Sequence, residues 1–277
     1  MKLKLFLIGM SLLLISAHSP QAASDGQSAL ETSISITAEI WCPYACTPES
    51  ENPGILVEVV REIYRQQGIE VEYGLMPWRR ALMETEKGTS DLVLGVVTGN
   101  RGSLLLDKRG MGVDETIVVV RKDSDFDYQG PESLNSMRLG VISNYTYDSN
   151  GVLDSYLKER RRLHDKIVVI YRDEPIKSLA NMLSGYRIDA FLENRQVTLY
   201  EGKRMNFGDK IRIISTGLGD TVHVGFTPND RGRRNLDIYN RGLTRLLESG
   251  KVDEIVKKYG LDGVPAEIKV KVNNPSK

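Results

Sequence analysis

The stretch that decides the fold is residues 77–101, PWRRALMETEKGTSDLVLGVVTGNR. It predicts a short helix, a turn, a buried strand and a loop that carries an arginine. Trp78, Ala81 and Leu82 give the helix an apolar stripe at spacings of three and four residues. Residues 91–97 form a nearly continuous apolar run of strand length, typical of strands covered on both faces in parallel sheets. The stretch therefore indicates an α/β fold.

Arg101 lies in the loop that follows this strand. Loops at the carboxyl ends of parallel strands are where open α/β sheets bind ligands. A guanidinium in such a loop matches a carboxylate in a bidentate fashion. Taken alone, however, Arg101 is better explained as a solvated surface arginine.

Predicted strands and helices alternate along most of the chain. Apolar residues at spacing four predict a helix over residues 55–67, and alternation predicts strands at residues 34–40 and 69–75. Further strands are expected at residues 116–120, 137–142, 166–171, 210–214 and 221–226, and further helices at residues 149–162, 174–184, 235–249 and 252–259.

The order of these motifs resembles the polar-amino-acid family of bacterial periplasmic solute-binding proteins. The resemblance is carried by W…AL…G…D-apolar-G…T-x-x-R in residues 78–101, by GYRIDAFLEN at residues 185–194 and by the closing helices at residues 238–260. It implies two α/β lobes, each a mostly parallel sheet flanked by helices, joined by two crossover strands. It places lobe one at residues 24–117 plus 229–277 and lobe two at residues 118–228.

The resemblance also implies a ligand site between the lobes. In the family, the arginine matched by Arg101 grips the ligand's α-carboxylate, and the position of Thr98 carries the same threonine. Tyr44 stands where an aromatic side chain packs on the ligand, although it is equally explained as a turn aromatic that plugs the edge of the lobe. Thr146 matches a hydroxyl from the second lobe. The full expected set is Tyr44, Trp78, Thr98, Arg101, Thr146, Glu193 and Asn194.

The chain departs from the family pattern where the ligand's ammonium is expected to bind. Asn194 replaces an aspartate, Glu193 stands beside it, and Val96 occupies a position where many members carry a serine. Either Glu193 supplies the negative charge, or the ligand is not an ordinary α-amino acid. Glu193 is also explained as a surface carboxylate at a strand end.

Residues 1–23 have the pattern of a secretory signal peptide. Lys2 and Lys4 precede a short apolar run, and small residues follow it, which is unlike a membrane span. We therefore expect a periplasmic protein without membrane insertion. Without these two lysines, 35 basic residues face 37 acidic ones, a balance that offers no electrostatic footprint for nucleic acid.

Cys42 and Cys46 are the only two cysteines of the chain. Because an exported protein meets an oxidising compartment, their spacing predicts a disulfide. A metal site is the weaker interpretation, since neither His164 nor His223 has ligand spacing to the cysteines. We expect no metal and no cofactor.

Two classes of function remain at this point. The first is a monomeric binding protein that delivers an amino acid or related carboxylate to an inner-membrane ABC permease; a ligand-sensing protein is a variant of it. The second is an exported enzyme on the same fold, similar to dehydratases. An enzyme needs a positioned acid–base pair in the cleft, and Glu193 is the one unpartnered carboxylate that the sequence places there. Binding is therefore the preferred interpretation.

Overall fold

The computed structural model describes residues 32–143, 145–163, 166–171 and 174–261. The predicted signal peptide and the tail beyond residue 261 lie outside the described residues. Within those ranges, every helix is too short or too polar to cross a membrane.

The described strands and helices follow the alternation that the sequence predicted. The strands are β1 Ser33–Ala38, β2 Glu70–Leu75, β3 Leu92–Val96, β4 Leu105–Leu106, β5 Gly112–Arg121, β6 Leu139–Ile142, β7 Ile167–Ile170, β8 Ala190–Asn194 and β9 Ile211–Phe226. The helices are α1 Ile55–Arg65, α2 Trp78–Lys87, α3 Val152–Arg162, α4 Pro175–Ser184, α5 Arg195–Arg204, α6 Asp230–Glu248 and α7 Lys251–Lys258.

The strands form a mixed sheet in the order β2-β1-β3-β9-β5-β8-β6-β7, with β4 beside β9. β1 runs parallel to β2 and β3, and β6 runs parallel to β7 and β8. The antiparallel strands β5 and β9 join these two parallel groups. This arrangement confirms the α/β fold class; the lobe boundaries stay a prediction.

β9 is one strand where the sequence predicted two, and β5 begins four residues earlier than predicted. The extra residues pair with each other, because Gly112–Thr116 lie opposite Leu218–Val222. Both segments are polar and carry Asp114, Glu115, Gly219 and Asp220. Backbone pairing between two polar segments leaves no apolar periodicity, so the sequence predicted no strand over residues 112–115 and 215–220.

Helix α1 packs its predicted apolar face against α6. Ile55, Val59 and Ile63 are buried, as their spacing predicted. The Tyr64 hydroxyl donates a hydrogen bond to the backbone carbonyl of Asn235 in α6, at 2.9 Å. Gly242 of α6 lies so close to α1 that an added Cβ would stand 2.5 Å from the Ile63 side chain. These contacts hold the helix behind β1, whose carboxyl end reaches the site described next.

Candidate functional site

A cavity of about 220 Å³ lies at the carboxyl ends of β1, β2, β3 and β6. Its wall consists of Glu39, Ile40, Trp41, Ala45, Leu56, Pro77, Trp78, Arg79, Leu94, Gly95, Val97, Asn100, Asp114, Ser143, Tyr145 and Thr146. The carboxyl ends of parallel strands are where α/β sheets bind ligands. Segments of both parallel groups therefore meet around one cavity, and β5 contributes Asp114 to it.

Thr146 and Trp78 are the two members of the predicted set that line this cavity. The amide Nδ2 of Asn100 donates a hydrogen bond to Thr146 Oγ1 at 3.0 Å. Beside this bond, a Cβ added to Gly99 would stand 3.0 Å from the Cβ of Ser149. The loop after β3 thus touches the segment after β6 and closes the cavity on that side.

Thr98 and Arg101 are exposed and do not belong to the cavity wall. Arg101 directly follows Asn100, which does line the cavity. Arg79, at the start of α2, is exposed as well and lies on the wall. Within the described residues, neither guanidinium has a recorded side-chain hydrogen bond or ion pair. Two arginines whose side chains have no polar partner among the described residues therefore lie at or beside the cavity.

The aromatic position at the end of β1 is shared between two residues. Trp41 lines the cavity, and its ring stacks on Tyr44 with the ring centroids 4.4 Å apart. Tyr44 is only 4 % exposed and lies behind Trp41. Burial, reinforced by the charge of Asp114, raises the pKa of the Tyr44 hydroxyl. The sequence prediction named Tyr44 and missed Trp41, although an aromatic directly after β1 was the signal that could have identified it.

A disulfide between Cys42 and Cys46, as the sequence predicted, closes the loop that directly follows Trp41. Beside the disulfide, the Trp41 and Ala45 backbones exchange hydrogen bonds of 2.7 and 3.0 Å. The indole Nε1 of Trp41 is buried and has no hydrogen-bond partner in the described part of the chain. A wall residue therefore keeps one unused donor.

We expect no free thiol when the unreduced protein is unfolded and titrated with a thiol reagent, because both cysteines are in the disulfide. Replacing the pair in a Cys42→Ser/Cys46→Ser variant should lower the free energy of unfolding by about 2 kcal/mol or less, since a loop this short constrains the unfolded chain little. Two titratable thiols in the wild type would contradict the disulfide.

Asn194 joins the end of β8 to the cavity wall. Its Oδ1 accepts the backbone N–H of Val197 at 2.9 Å and so caps helix α5. Its Nδ2 donates to Asp114 Oδ1 at 2.8 Å. Burial, partly opposed by this hydrogen bond, raises the pKa of Asp114 to about 6. Asn194 is 2 % exposed and does not line the cavity itself.

Glu193 is completely buried and is not part of the cavity wall. Its Oε1 accepts the backbone N–H of Asn194 at 2.9 Å, while Oε2 has no hydrogen-bond partner in the described residues. Burial raises the pKa of Glu193 to about 8, so the carboxyl is mostly protonated at neutral pH. Its contact with a ligand ammonium stays a prediction.

Comparison with known proteins identifies similar sequences and folds. The sequence model described as bacterial extracellular solute-binding proteins, family 3, matches residues 34–262. No curated protein matches the chain.

Three solved structures illustrate the similarity of fold. A histidine kinase sensor domain with similarity to periplasmic binding proteins has a TM-score of 0.68 and 18% identity, over 85% of this chain and 99% of that one. A structure from work on glutathione import via GshT and the cystine ABC importer TcyBC of Streptococcus mutans has a TM-score of 0.70 and 14% identity, over 85% and 98%. An ABC uptake transporter substrate-binding protein from Streptococcus pneumoniae with bound histidine has a TM-score of 0.66 and 18% identity, over 84% and 94%.

Proposed function

Because the chain belongs to the bacterial extracellular solute-binding proteins, family 3, we propose that it binds an amino acid or a related carboxylate in the periplasm. It acts as a monomer and delivers the solute to an inner-membrane ABC permease. The observation that carries this proposal is the cavity at the carboxyl ends of both parallel strand groups, where Asn100 and Thr146 join its two sides.

The chemistry of the wall suits a small zwitterion. Trp41, Trp78 and Tyr145 supply aromatic faces, which hold aliphatic groups and ammonium ions. Asp114 supplies a carboxylate, and Arg79 a guanidinium. A cavity of about 220 Å³ is small, as expected for a solute of amino-acid size rather than a polymer.

We assign the ligand carboxylate to Arg101. Its side chain can turn from solvent toward the neighbouring Asn100 without breaking a hydrogen bond or an ion pair, because it makes neither within the described residues. A planar guanidinium pairs with a carboxylate through two parallel hydrogen bonds. Thr98, after β3, and Thr146, after β6, provide hydroxyls from the two segments that meet at the cavity. Tyr44 packs against Trp41 and so supports the aromatic wall.

Closure is assigned to the two strands that join the parallel groups. The pairing of β5 with β9 shifts register between Thr116 and Ile117, close to the proposed lobe boundary at residues 117 and 118. Two-lobed binding proteins close by hinge motion in a few connecting residues. Opening there would separate Thr146 from Asn100 and admit the solute.

A sensory role is the second candidate, and the similarity to a histidine kinase sensor domain favours it. In that role the same cavity and ligand would serve, but the closed form would signal to a receptor and not to a permease. Binding experiments alone do not separate the two roles. Growth on the identified solute as sole nitrogen source, with and without the gene, distinguishes uptake from sensing.

Native mass spectrometry of gently purified protein tests the proposal. We expect a small molecule that remains bound under native conditions and is released on unfolding, with the mass of an amino acid or related carboxylate. Incubating the protein with that compound should return it chemically unchanged. Conversion to a product would instead support the enzyme alternative.

A further inference from the structure

We propose that Asp114 recognises a cationic group of the solute, an ammonium or a guanidinium, and thereby selects positively charged or zwitterionic ligands. The inference rests on the proposed binding function and names the residue that determines its specificity. It assigns the carboxylate that pairs with the ligand's cationic group to β5, and not to Glu193 or Asn194 at the end of β8.

The carboxylate of Asp114 is positioned at the cavity. Asp114 lines the cavity, whereas Glu193 and Asn194 do not. The 2.8 Å bond from Asn194 Nδ2 occupies Asp114 Oδ1, and the described residues record no partner for Oδ2. Since Asn194 also caps α5 through Val197, the amide that orients Asp114 is itself anchored. Asn194 is therefore a positioning residue, and one oxygen of Asp114 is left for a ligand.

Asp114 lies among acidic groups. Asp220 lies directly opposite Asp114 on β9, and like charges across a strand pair repel. Asp154 from α3 adds negative charge around it. The mostly protonated carboxyl of Glu193 from β8 also faces it, as do the neutral hydroxyls of Tyr44 and Tyr145 from the loops after β1 and β6. Arg79 shares the cavity wall, yet no ion pair between it and Asp114 is recorded in the described residues. A half-buried carboxylate among acids is costly, and a ligand cation would supply the positive charge that the described residues do not place beside it.

A cation bound at Asp114 makes ligand binding depend on pH. Without a counter-ion, burial raises the pKa of Asp114 to about 6. A bound cation favours the ionised carboxylate and lowers this pKa, so binding near pH 6 releases a proton. Affinity should therefore be constant above about pH 7 and fall toward tenfold per pH unit below the free protein's pKa. Protonation of Glu193 is a separate event at higher pH, since its pKa is raised to about 8.

The test uses calorimetric titration at pH 8 with the standard amino acids and, for each that binds, the analogue in which hydrogen replaces the amine. We expect the amino acid to bind wild type at least 30-fold more tightly than its analogue. Asp114→Asn should weaken the amino acid by about 30-fold or more, as for truncation of a buried charge pair, and leave the analogue within threefold. Asp220→Asn is the matched control, since it removes a neighbouring acid outside the cavity wall and should stay within threefold.

A second measurement on the unaltered protein keeps the inference falsifiable even if Asp114→Asn folds poorly. Titration at pH 6 in two buffers of different ionisation enthalpy should reveal proton release on binding, which disappears at pH 8.

Amino-acid affinity within threefold of wild type in folded Asp114→Asn, or no proton release at pH 6, would overturn the assignment. A loss in Glu193→Gln without a loss in Asp114→Asn would overturn it in favour of Glu193. If no amino acid binds the wild type, the proposed binding of amino acids is contradicted, and the inference about Asp114, which rests on it, is contradicted as well.

Discussion

Arg101→Ala is expected to weaken binding of a carboxylate-bearing solute by about 2–5 kcal/mol, roughly 30-fold to several thousand-fold in affinity. On the proposed assignment, removing the guanidinium leaves the ligand carboxylate without its cationic partner. Arg101→Lys should lose almost as much, because an ammonium does not reproduce the planar fork. The melting temperature without ligand should barely change, since the side chain of Arg101 is exposed and makes no hydrogen bond or ion pair within the described residues.

Calorimetry on the variants, alongside melting curves, measures both effects. Arg80→Ala is the matched control, because Arg80 is an exposed arginine of the same helix as Arg79 whose recorded contact is a 3.6 Å ion pair with Glu84. It should change affinity less than threefold. Arg79→Ala tests the rival cation on the cavity wall. Affinity within threefold of wild type in Arg101→Ala would contradict the assignment of the ligand carboxylate to Arg101. A large loss in Arg79→Ala would then assign the carboxylate to Arg79.

Asp107→Ala is expected to lower the free energy of unfolding by about 3–5 kcal/mol, because it leaves several buried donors unpaired. Asp107 lies in the segment that connects β4 to β5, and its side chain is fully buried. Its Oδ1 accepts the backbone N–H of Val224 in β9 at 2.7 Å, and Oδ2 accepts that of Gly110 at 2.5 Å. The carboxylate thus holds the segment between β4 and β5 against β9. β5 and β9 are the two strands that join the parallel groups.

Urea unfolding of the variant measures this loss. Asp125→Ala is a suitable control, because Asp125 is exposed and should change stability by no more than about 0.5 kcal/mol. A loss below 1 kcal/mol in Asp107→Ala would mean that water or other groups satisfy the freed donors. Asp107→Asn should also destabilise the protein, since the donor Nδ2 of the new amide has to face the backbone N–H of either Val224 or Gly110.

Elements with a strong apolar pattern were predictable from the sequence. α1, β3 and α6 bury one face or both, so the spacing of their apolar residues reports the period of the backbone. Helix α5 was missed because its buried positions include Thr198, Glu201 and Gly202, which break that pattern. The resemblance to a family then ordered these elements into two groups, and the sheet topology agrees.

The candidate site was harder to predict than the fold, because its members come from segments without periodicity. Trp78 and Thr146 lie on the wall as expected, but Trp41 and Asp114 were not predicted. Asp114 belongs to a stretch for which the sequence predicted no strand, and its pairing with β9 brings it to the cavity. The alternative interpretation of Glu193 as a surface carboxylate at a strand end was wrong, because Glu193 is completely buried, and burial between β5 and its neighbours is a property of three-dimensional packing.

Tryptophan fluorescence tests the central claim most directly, because Trp41 and Trp78 are the only two tryptophans of the chain and both line the cavity. Titration with an amino acid that binds by calorimetry should change their emission saturably, with the same dissociation constant. Trp41→Phe and Trp78→Phe should each retain part of that change. Calorimetric binding without any change in tryptophan emission would place the ligand elsewhere and contradict the account.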